Sequence, residues 1–376
     1  MILRSTYSDT SGLQYRLRAA SALLGITDNT TKKYVDESGI RVRRANEDDA
    51  KAVAVRLFDP DTLFKLAQWR RAKHYIKTPL KGPYVVAVHI VKGGTGKTTT
   101  AAEIALHLQL AGMKVLAIDL DVQSNLTQYM GYEADLELKD AEAFNLTSEA
   151  VVGKTFAHVV CPYVGRGTTD SVGELIKKPF GEHGPHLIPS DANLGDMEYA
   201  VSASKGAREL LLRKLLAEAA QGKIPGFDIS KYDVIGMDCP PNVSMTSTMA
   251  LASADIIVAP VRLDAFGVKG LGRLVGEINL LEESYGHNVH PELVILATHF
   301  APQLSRIQRM HQALQAYQKN LAPVSISVSE DFPKSLEHYI PLSLQKPLSQ
   351  ASREYKEFTD YLIKRLVLIE EQRAKA

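Results

Sequence analysis

A glycine-rich segment, Lys92-Gly93-Gly94-Thr95-Gly96-Lys97-Thr98-Thr99, constrains this 376-residue chain more than any other feature. It follows an apolar, β-rich run at residues 84–91 and opens a helical pattern that ends at Gly112. Glycines let backbone N–H groups turn toward a polyphosphate, and the N-terminus of a helix adds a favourable dipole. This context predicts a phosphate-binding loop, in which Lys97 reaches the β- and γ-phosphates and Thr98 places its hydroxyl on Mg²⁺.

The loop departs from the strict pattern of such loops at one position. That pattern has a glycine five residues before Gly96, where this chain has Val91, and here an additional lysine, Lys92, precedes the glycines. A glycine-rich turn with two solvated lysines is the alternative interpretation. The preceding strand, the threonine pair and two downstream aspartate segments favour nucleotide binding by all eight residues, which are Lys92, Gly93, Gly94, Thr95, Gly96, Lys97, Thr98 and Thr99.

Aspartates stand at the ends of two later apolar strands. Asp119 and Asp121 end one of them, and Asp238 ends another, just before a pair of prolines. Because the carboxyl ends of parallel strands meet at one edge of a sheet, these side chains should lie beside the phosphate loop. Asp238 fits an acid that holds Mg²⁺ through water. For Asp119 and Asp121 the alternative is that they cap the next turn.

From residue 84 onward, short apolar strands alternate with helical patterns. The expected strands lie at residues 84–91, 114–119, 186–189, 232–238, 256–260 and 294–298. The expected helices lie at residues 98–111, 205–220, 245–253, 267–283, 303–319 and 352–371. Alternation of this kind predicts an α/β fold with a mostly parallel sheet that is covered by helices on both faces.

The last predicted helix carries an apolar stripe. Its members are Tyr355, Phe358, Leu362, Leu366 and Ile369. A stripe at helical spacing usually packs on a sheet, which is what we expect here. A helix that lies on a membrane surface is the alternative.

The front of the chain is basic. Residues 1–82 hold 16 lysines and arginines against nine acids, a net charge of +7, whereas the whole chain carries +1. Two helical stretches meet at Gly25, with Thr27 placed as the N-cap of the second, and a third helix follows at residues 59–75. The pattern predicts a small α-helical domain of winged or helix-turn-helix type, and its charge favours an anionic partner. An ordinary helical hairpin is the alternative.

The second helix of this front segment would be the one that contacts DNA, because polar and basic residues stand at its start. The candidate contacts are Thr27, Thr30, Thr31, Lys32 and Lys33. A polar, basic stretch rich in proline and glycine then predicts a linker at residues 77–83. The expected domains are therefore a DNA-binding domain at residues 1–76 and a nucleotide-binding domain at residues 84–376.

Cysteine content and hydropathy exclude several classes of protein. The two cysteines, Cys161 and Cys239, are too few for a disulfide framework or a four-cysteine zinc module, and they fit a reducing cytosol. No run approaches the ~18 apolar residues that a transmembrane helix needs. We expect a cytoplasmic protein that does not bind a membrane.

The sequence Lys-Gly-Gly-x-Gly-Lys-Thr-Thr resembles the deviant Walker-A ATPases, which include the ParA partition proteins, MinD and the nitrogenase iron protein. The segments around Asp121 and Asp238 resemble that family's Asp-x-Asp-Pro-Gln and Asp-x-Pro-Pro motifs, with Val122 in place of the first proline. The resemblance covers roughly residues 84–365. It implies a P-loop NTPase fold, an ATP-bound homodimer, and ATP or ADP with Mg²⁺ as cofactors.

The resemblance also implies roles for individual residues. Lys92 would reach into the partner subunit, and Asp121 would position the attacking water. Together with Lys97, these two residues form the expected catalytic set. Thr98, Asp119 and Asp238 form the expected metal set.

The larger plasmid-type ParA proteins carry an operator-binding domain at the N-terminus, and the front segment resembles it. The resemblance implies a nucleoid-associated partition ATPase that binds DNA nonspecifically as a dimer, is stimulated by a ParB-type centromere-binding partner and represses its own operon. Candidate nonspecific DNA contacts are Arg306 and Arg309, with Lys269 and Arg273 as further candidates. The alternatives are a MinD-like, membrane-associated positioning ATPase and a nucleotide-sensing transcriptional repressor.

Overall fold

The computed structural model describes residues 10–46, 55–76, 80–144, 146, 148–167, 175–301 and 305–375. The strands are β1 (Arg43–Ala45), β2 (Val55–Leu57), β3 (Tyr84–Val88), β4 (Val115–Asp119), β5 (His186–Ile188), β6 (Val234–Asp238), β7 (Ile256–Arg262), β8 (Glu292–Phe300) and β9 (Leu321–Ser327). The helices are α1 (Leu17–Leu24), α2 (Asp28–Ser38), α3 (Pro60–Ala72), α4 (Lys97–Leu110), α5 (Asn125–Tyr129), α6 (Ala157–Tyr163), α7 (Gly195–Ser202), α8 (Leu211–Ala220), α9 (Met245–Ser253), α10 (Ala265–Tyr285), α11 (Ser305–Ala313), α12 (Asp331–Glu337), α13 (Leu342–Gln345) and α14 (Gln350–Arg373).

Strands β3 to β9 form one parallel sheet in the described part of the chain, in the order β5-β4-β6-β3-β7-β8-β9. The register places the ends of three central strands side by side, because Asp238 is aligned with both Asp119 and Val88. The predicted α/β fold with a mostly parallel sheet is confirmed. One edge of that sheet carries both the aspartates and the glycine-rich loop.

Each face of the sheet has its own apolar core, because successive strand residues point to opposite faces. In β3, Val85 and Ala87 belong to one buried cluster, and Val86 and Val88 belong to the other. Helices such as α8, α9 and α10 cover the first face. Helices α4 and α14, together with the front helices, cover the second.

The front segment folds as two helices, a strand pair and a third helix. Gly25 ends α1 with a φ of 64°, and the Thr27 side chain caps α2 by accepting a hydrogen bond from the N–H of Thr30. Strands β1 and β2 pair antiparallel and add a wing that the sequence pattern did not locate precisely. Asp59 caps α3 in the same way as Thr27 caps α2.

The front segment is docked on the sheet domain over a shared core. Leu63 and Phe64 of α3 are fully buried in the same apolar cluster as the residues of α4. The Arg71 guanidinium forms a bidentate ion pair with Asp233, and the Tyr15 hydroxyl donates to the carbonyl of Leu344 at 2.8 Å. The division of the chain at a linker stays a prediction. In this structure the two parts share an apolar core and are joined by the bonds described above.

The predicted linker is only partly visible. Residues 77–79 lie outside the described residues. Leu80 is buried, and the N–H of Lys81 donates to Glu370 of α14 at 3.1 Å. The described end of the linker segment is therefore held against the last helix.

Strand β9 was not predicted, because its sequence contains a proline and two serines. It lies at the edge of the sheet, where a missing backbone N–H is tolerated. Ala322, Val324 and Ile326 alternate toward the core, whereas Pro323 is exposed. Of the predicted helix at residues 303–319, Ser305–Ala313 is α-helical, and Leu314–Asn320 continues as a 3₁₀ helix with a kink at Tyr317.

The apolar stripe of α14 packs inside the protein. Tyr355, Phe358, Leu362 and Leu366 are buried beside β9 and α4, and Ile369 is half-buried. The packing interpretation is therefore correct, and the observation that motivated a membrane-surface helix no longer supports one. No helix among the described residues is both long and apolar enough to cross a bilayer.

We predict that Phe64→Ala destabilises the whole protein, because Phe64 fills the core that α3 shares with α4. The expected loss is about 3 to 5 kcal/mol, observed as one cooperative transition shifted to lower temperature in calorimetry. Leu280→Ala is the matched control, because Leu280 is 63% exposed. Two separate transitions, with only one shifted, would contradict a shared core.

Candidate functional site

The glycine-rich loop runs between the end of β3 and the start of α4. Gly94 and Gly96 have φ values of +70° and +89°, which lie in the left-handed region that other residues adopt only with strain. Gly96 is also the N-cap of α4. The first N–H groups of α4 therefore open onto the loop, as an anion site requires.

Lys97 is turned inward and closes the loop on itself. Its Nζ donates to the carbonyl of Lys92 at 2.8 Å, and the residue is buried. Burial lowers the pKa of Lys97, while the carboxylates of Asp238 and Asp121 oppose that shift. The ammonium group thus stands between the loop backbone and two of the predicted acids.

Thr98 and Asp238 form the central contact of the site. The Thr98 hydroxyl donates to Asp238 Oδ2 at 2.7 Å, while Asp238 Oδ1 is buried and has no hydrogen-bond partner among the described residues. Burial raises the pKa of Asp238 well above its ordinary value, and the nearby Asp119 charge adds to that effect. A buried oxygen of this kind is costly to leave unpaired, and a cation or its bound water would satisfy it.

The metal role expected for Asp119 is not what its geometry favours. Asp119 Oδ1 accepts from the N–H of Asp121 at 3.1 Å, and Oδ2 accepts from the N–H and the hydroxyl of Thr127 at 2.9 and 2.7 Å. Burial raises the pKa of Asp119 to about 7 against these hydrogen bonds. Asp119 therefore braces the loop that carries Asp121.

Asp121 lies on that braced loop at the sheet edge. Its Oδ1 accepts from the N–H of Gln123 at 3.0 Å, and its carbonyl accepts from the Ser190 hydroxyl at 2.7 Å. Because Asp121 interacts electrostatically with Lys97, the acid lies close to the phosphate loop. No cluster of three His, Cys, Asp or Glu side chains is arranged to hold a metal within the described ranges. A cation here would need water and phosphate oxygens as additional ligands.

Lys92 is engaged within its own chain. Its Nζ lies 2.9 and 3.0 Å from the two carboxylate oxygens of Asp264. Asp264 is itself fixed as the N-cap of α10, where it accepts from the N–H of Gly267 at 2.7 Å. The predicted reach of Lys92 into a partner subunit would require this ion pair to break.

A cavity of about 410 Å³ adjoins the loop, and sequence reasoning did not find it. Besides the loop, it is lined by the ends of β8 and β9, by α12 and by Tyr355 of α14, and the lining includes His299, Val328 and Phe332. Thr298 joins the two parts, because its hydroxyl donates to the carbonyl of Thr95 at 3.0 Å. The lining comes from separate segments, so no single motif signals it.

A buried polar network, also missed from the sequence, ties α4 to the C-terminal segment. Thr100 contacts the hydroxyl of Tyr355 at 3.1 Å. Glu103 accepts from the N–H of Ser343 at 3.1 Å and from its hydroxyl, and His107 Nε2 lies 2.9 Å from the same hydroxyl. These bonds hold the wall of the cavity on the helix that carries the phosphate loop.

The predicted DNA contacts are only partly available. Thr31 is fully buried, and its hydroxyl bonds to Ser21 and to the carbonyl of Thr27, so the predicted contact through Thr31 is wrong. Lys32 and Lys33 are exposed, and Lys33 lies 3.7 Å from Glu37. The Thr27 and Thr30 hydroxyls bond to each other at the helix cap.

Further basic residues lie at two other places. Arg43 and Arg44 of β1 are exposed, although the sequence pattern did not single them out. Arg309 of α11 is exposed, whereas the side chain of Arg306 lies outside the described part of the structure.

We predict a pH-dependent effect of Glu103→Gln on stability. Burial raises the pKa of Glu103 to about 7 against the hydrogen bonds from Ser343, so its stabilising contribution is present below pH ~4.5 and is lost as pH rises through ~7. Glutamine cannot ionise, so the variant should gain up to about 3 kcal/mol relative to wild type between pH 5 and pH 8.

Melting temperatures of both proteins at the two pH values test this prediction. Burial lowers the pKa of His107 to about 3, so that neighbour stays neutral in the folded state at both values. Glu371→Gln is the control at an exposed position of α14. An equal difference between variant and wild type at pH 5 and pH 8 would exclude the assigned ionisation.

Comparison with known proteins places the chain in a family. Residues 84–291 match the family model described as an AAA domain. The chain is 26% identical over 276 residues to the sporulation initiation inhibitor protein Soj of Bacillus subtilis, which covers 72% of this chain and 94% of Soj. It is also 26% identical over 251 residues to the chromosome partitioning protein ParA of Caulobacter vibrioides, covering 65% and 82%.

Solved structures share the fold. The ATP complex of a variant of Cyanothece McdA superimposes with a TM-score of 0.58 at 21% identity, over 76% of this chain and 97% of that one. A structure described as a partition protein superimposes with a TM-score of 0.55 at 16% identity, over 96% and 94%. The second similarity therefore includes most of the front segment. Since the family model spans more than half of its length, the chain belongs to the AAA-domain family of ParA/Soj-type partition ATPases.

Proposed function

We propose that the chain is an ATP-dependent DNA-partition ATPase that binds ATP or ADP with Mg²⁺ at residues 92–99. The observation that carries this proposal is the Thr98–Asp238 hydrogen bond at the phosphate loop, beside a buried Asp238 oxygen that has no partner in the described ranges. Thr98 and Asp238 would hold the cation, and Lys97 with the loop N–H groups would hold the β- and γ-phosphates. Mg²⁺ supplies neutralisation of phosphate charge when it is bound.

The 410 Å³ cavity is the proposed site of the adenine ring. Val328 and Phe332 offer apolar and aromatic surface, and His299 lies at the loop side. Sites for planar ligands combine such surface with a few polar groups that fix orientation. The Thr298–Thr95 hydrogen bond holds the wall of this cavity against the phosphate loop.

Asp121 is the proposed group that positions the attacking water. It is held by Gln123 and Ser190 at the edge where the γ-phosphate would lie. Water would form a bond to the γ-phosphorus as the bond to the β–γ bridging oxygen breaks, leaving ADP and phosphate. A positioned acid of this kind contributes about 10²- to 10⁴-fold to rate.

Exposed apolar side chains around this edge support an ATP-dependent homodimer. Val122, Val243 and Tyr199 are 45%, 57% and 71% exposed. Val122 follows β4, Val243 follows β6, and Tyr199 lies on α7. The N–H of Met245, at the start of α9, donates to Glu198 of α7 and so joins these two helices. A second copy that faces the nucleotide would cover this apolar surface. Lys92 would then act across the interface.

The front segment is the proposed operator-binding module. Exposed Lys32 and Lys33 of α2, and exposed Arg43 and Arg44 of the wing, provide a basic surface for phosphate contacts. In the cytoplasm, the ATP-bound dimer would also bind the DNA of the nucleoid nonspecifically, with Arg309 as one contact. A ParB-type centromere-binding protein would stimulate hydrolysis, and operator binding would repress the operon.

We predict that Asp121→Ala preserves ATP affinity while lowering turnover by about 100-fold or more, because Asp121 acts on the water rather than on the nucleotide. Lys97→Ala should instead abolish measurable ATP binding. Calorimetric titration and phosphate release measure the two effects. Glu371→Ala, an exposed acid, is the control. Normal turnover in Asp121→Ala would remove that residue from the mechanism.

We predict that the double variant Lys32→Ala with Lys33→Ala weakens binding to promoter DNA and reduces the slope of log affinity against log salt by about 1 to 2. The intact chain and its own promoter are used in a fluorescence anisotropy titration. Lys223→Ala, an exposed lysine beyond α8, is the control. An unchanged salt slope would show that α2 does not contact the phosphates.

A further inference from the structure

A third cation stands beside the phosphate loop, at the end of β7. Arg262 Nε lies 3.3 Å from Asp264 Oδ2, and Lys92 Nζ lies 2.9 Å from Asp264 Oδ1. One carboxylate therefore holds two cations. The sequence motifs identify only Lys92 of this group.

The sheet places Arg262 close to the nucleotide edge. Arg262 is aligned with Thr298 in the pairing of β7 with β8, and the Thr298 hydroxyl bonds to the loop carbonyl of Thr95. β7 also pairs with β3, the strand that leads into the loop. Arg262 therefore lies at the end of the sheet that carries the phosphate loop.

The carboxylate is fixed by the backbone of α10, and the two cations reach it through long side chains. Asp264 is the N-cap of α10, and the turn is tight because a Cβ on Gly267 would lie 2.1 Å from the carbonyl oxygen of Arg262. The side chain of Arg262 is 49% exposed and that of Lys92 is 25% exposed. Both side chains are long and can swing away from an acid that stays in place.

We propose that Arg262 is a second cationic ligand of the terminal phosphate, held on Asp264 beside Lys92 in the unliganded chain and transferred to the phosphate when ATP binds. A guanidinium can bind two phosphate oxygens at once, whereas in the unliganded chain Arg262 contacts Asp264 only through Nε. This inference rests on the proposed function, and it extends that function to selectivity for ATP over ADP.

Three variants of the full-length protein test this role. Arg262→Ala should weaken ATP binding by about tenfold and leave ADP binding within about twofold, because ADP lacks the γ-phosphate. Arg262→Lys should recover part of the ATP affinity. Asp264→Asn keeps the helix cap but releases both cations, so it should strengthen ATP binding several-fold without changing ADP binding.

Calorimetric titrations with a slowly hydrolysed ATP analogue and with ADP measure these ratios. Arg353→Ala, an exposed arginine of α14, is the control. An Arg262→Ala protein with the wild-type ratio of ATP to ADP affinity would overturn the proposal, and so would equal losses for both nucleotides with a lowered melting temperature. If the wild-type protein binds neither nucleotide, the proposed function itself fails, which is a different result.

Discussion

The burial of α4 is the constraint on which the site depends. The sheet lies on one side of this helix, α3 lies on another, and α14 packs along it as well. Its polar face is not solvated but bonded, since Thr100 and Glu103 contact Tyr355 and Ser343. A helix held on every side cannot rotate, so the first turn keeps Thr98 directed at Asp238. This packing therefore determines the geometry of the phosphate loop.

The edge of the sheet that carries the phosphate loop also brings buried acidic side chains close together, which is electrostatically unfavourable. Asp238 is aligned with Asp119 in neighbouring strands, both are buried, and one Asp238 oxygen has no partner in the part of the chain that the structure describes. An unsatisfied buried polar group costs about 1 to 3 kcal/mol, which the apolar cores on both faces of the sheet offset. A bound cation and polyphosphate would relieve that cost. The unliganded site is thus preorganised for the ligand and is least stable without it.

Local sequence signals predicted the parts of the site that are close in sequence. The loop, the strands before it and after it, and Asp238 follow from glycine chemistry and from apolar runs ended by acids. These signals did not predict contacts between residues that are far apart in the sequence. Glu103 meets Ser343 across 240 residues, and the docking of Phe64 under α4 has no motif. Thr31 illustrates the same limit, because only the fold shows that Ser21 buries its hydroxyl.

Hydrogen–deuterium exchange of the intact protein, with and without a slowly hydrolysed ATP analogue and Mg²⁺, would show whether residues 92–99 form the nucleotide site. We expect slower exchange at residues 92–99, at 119–124 and at 238–244, together with the cavity wall at 326–336. Exchange in α11, outside the proposed nucleotide site, should be unchanged. Protection that excludes residues 92–99 would contradict the assignment of this edge of the sheet as the nucleotide site.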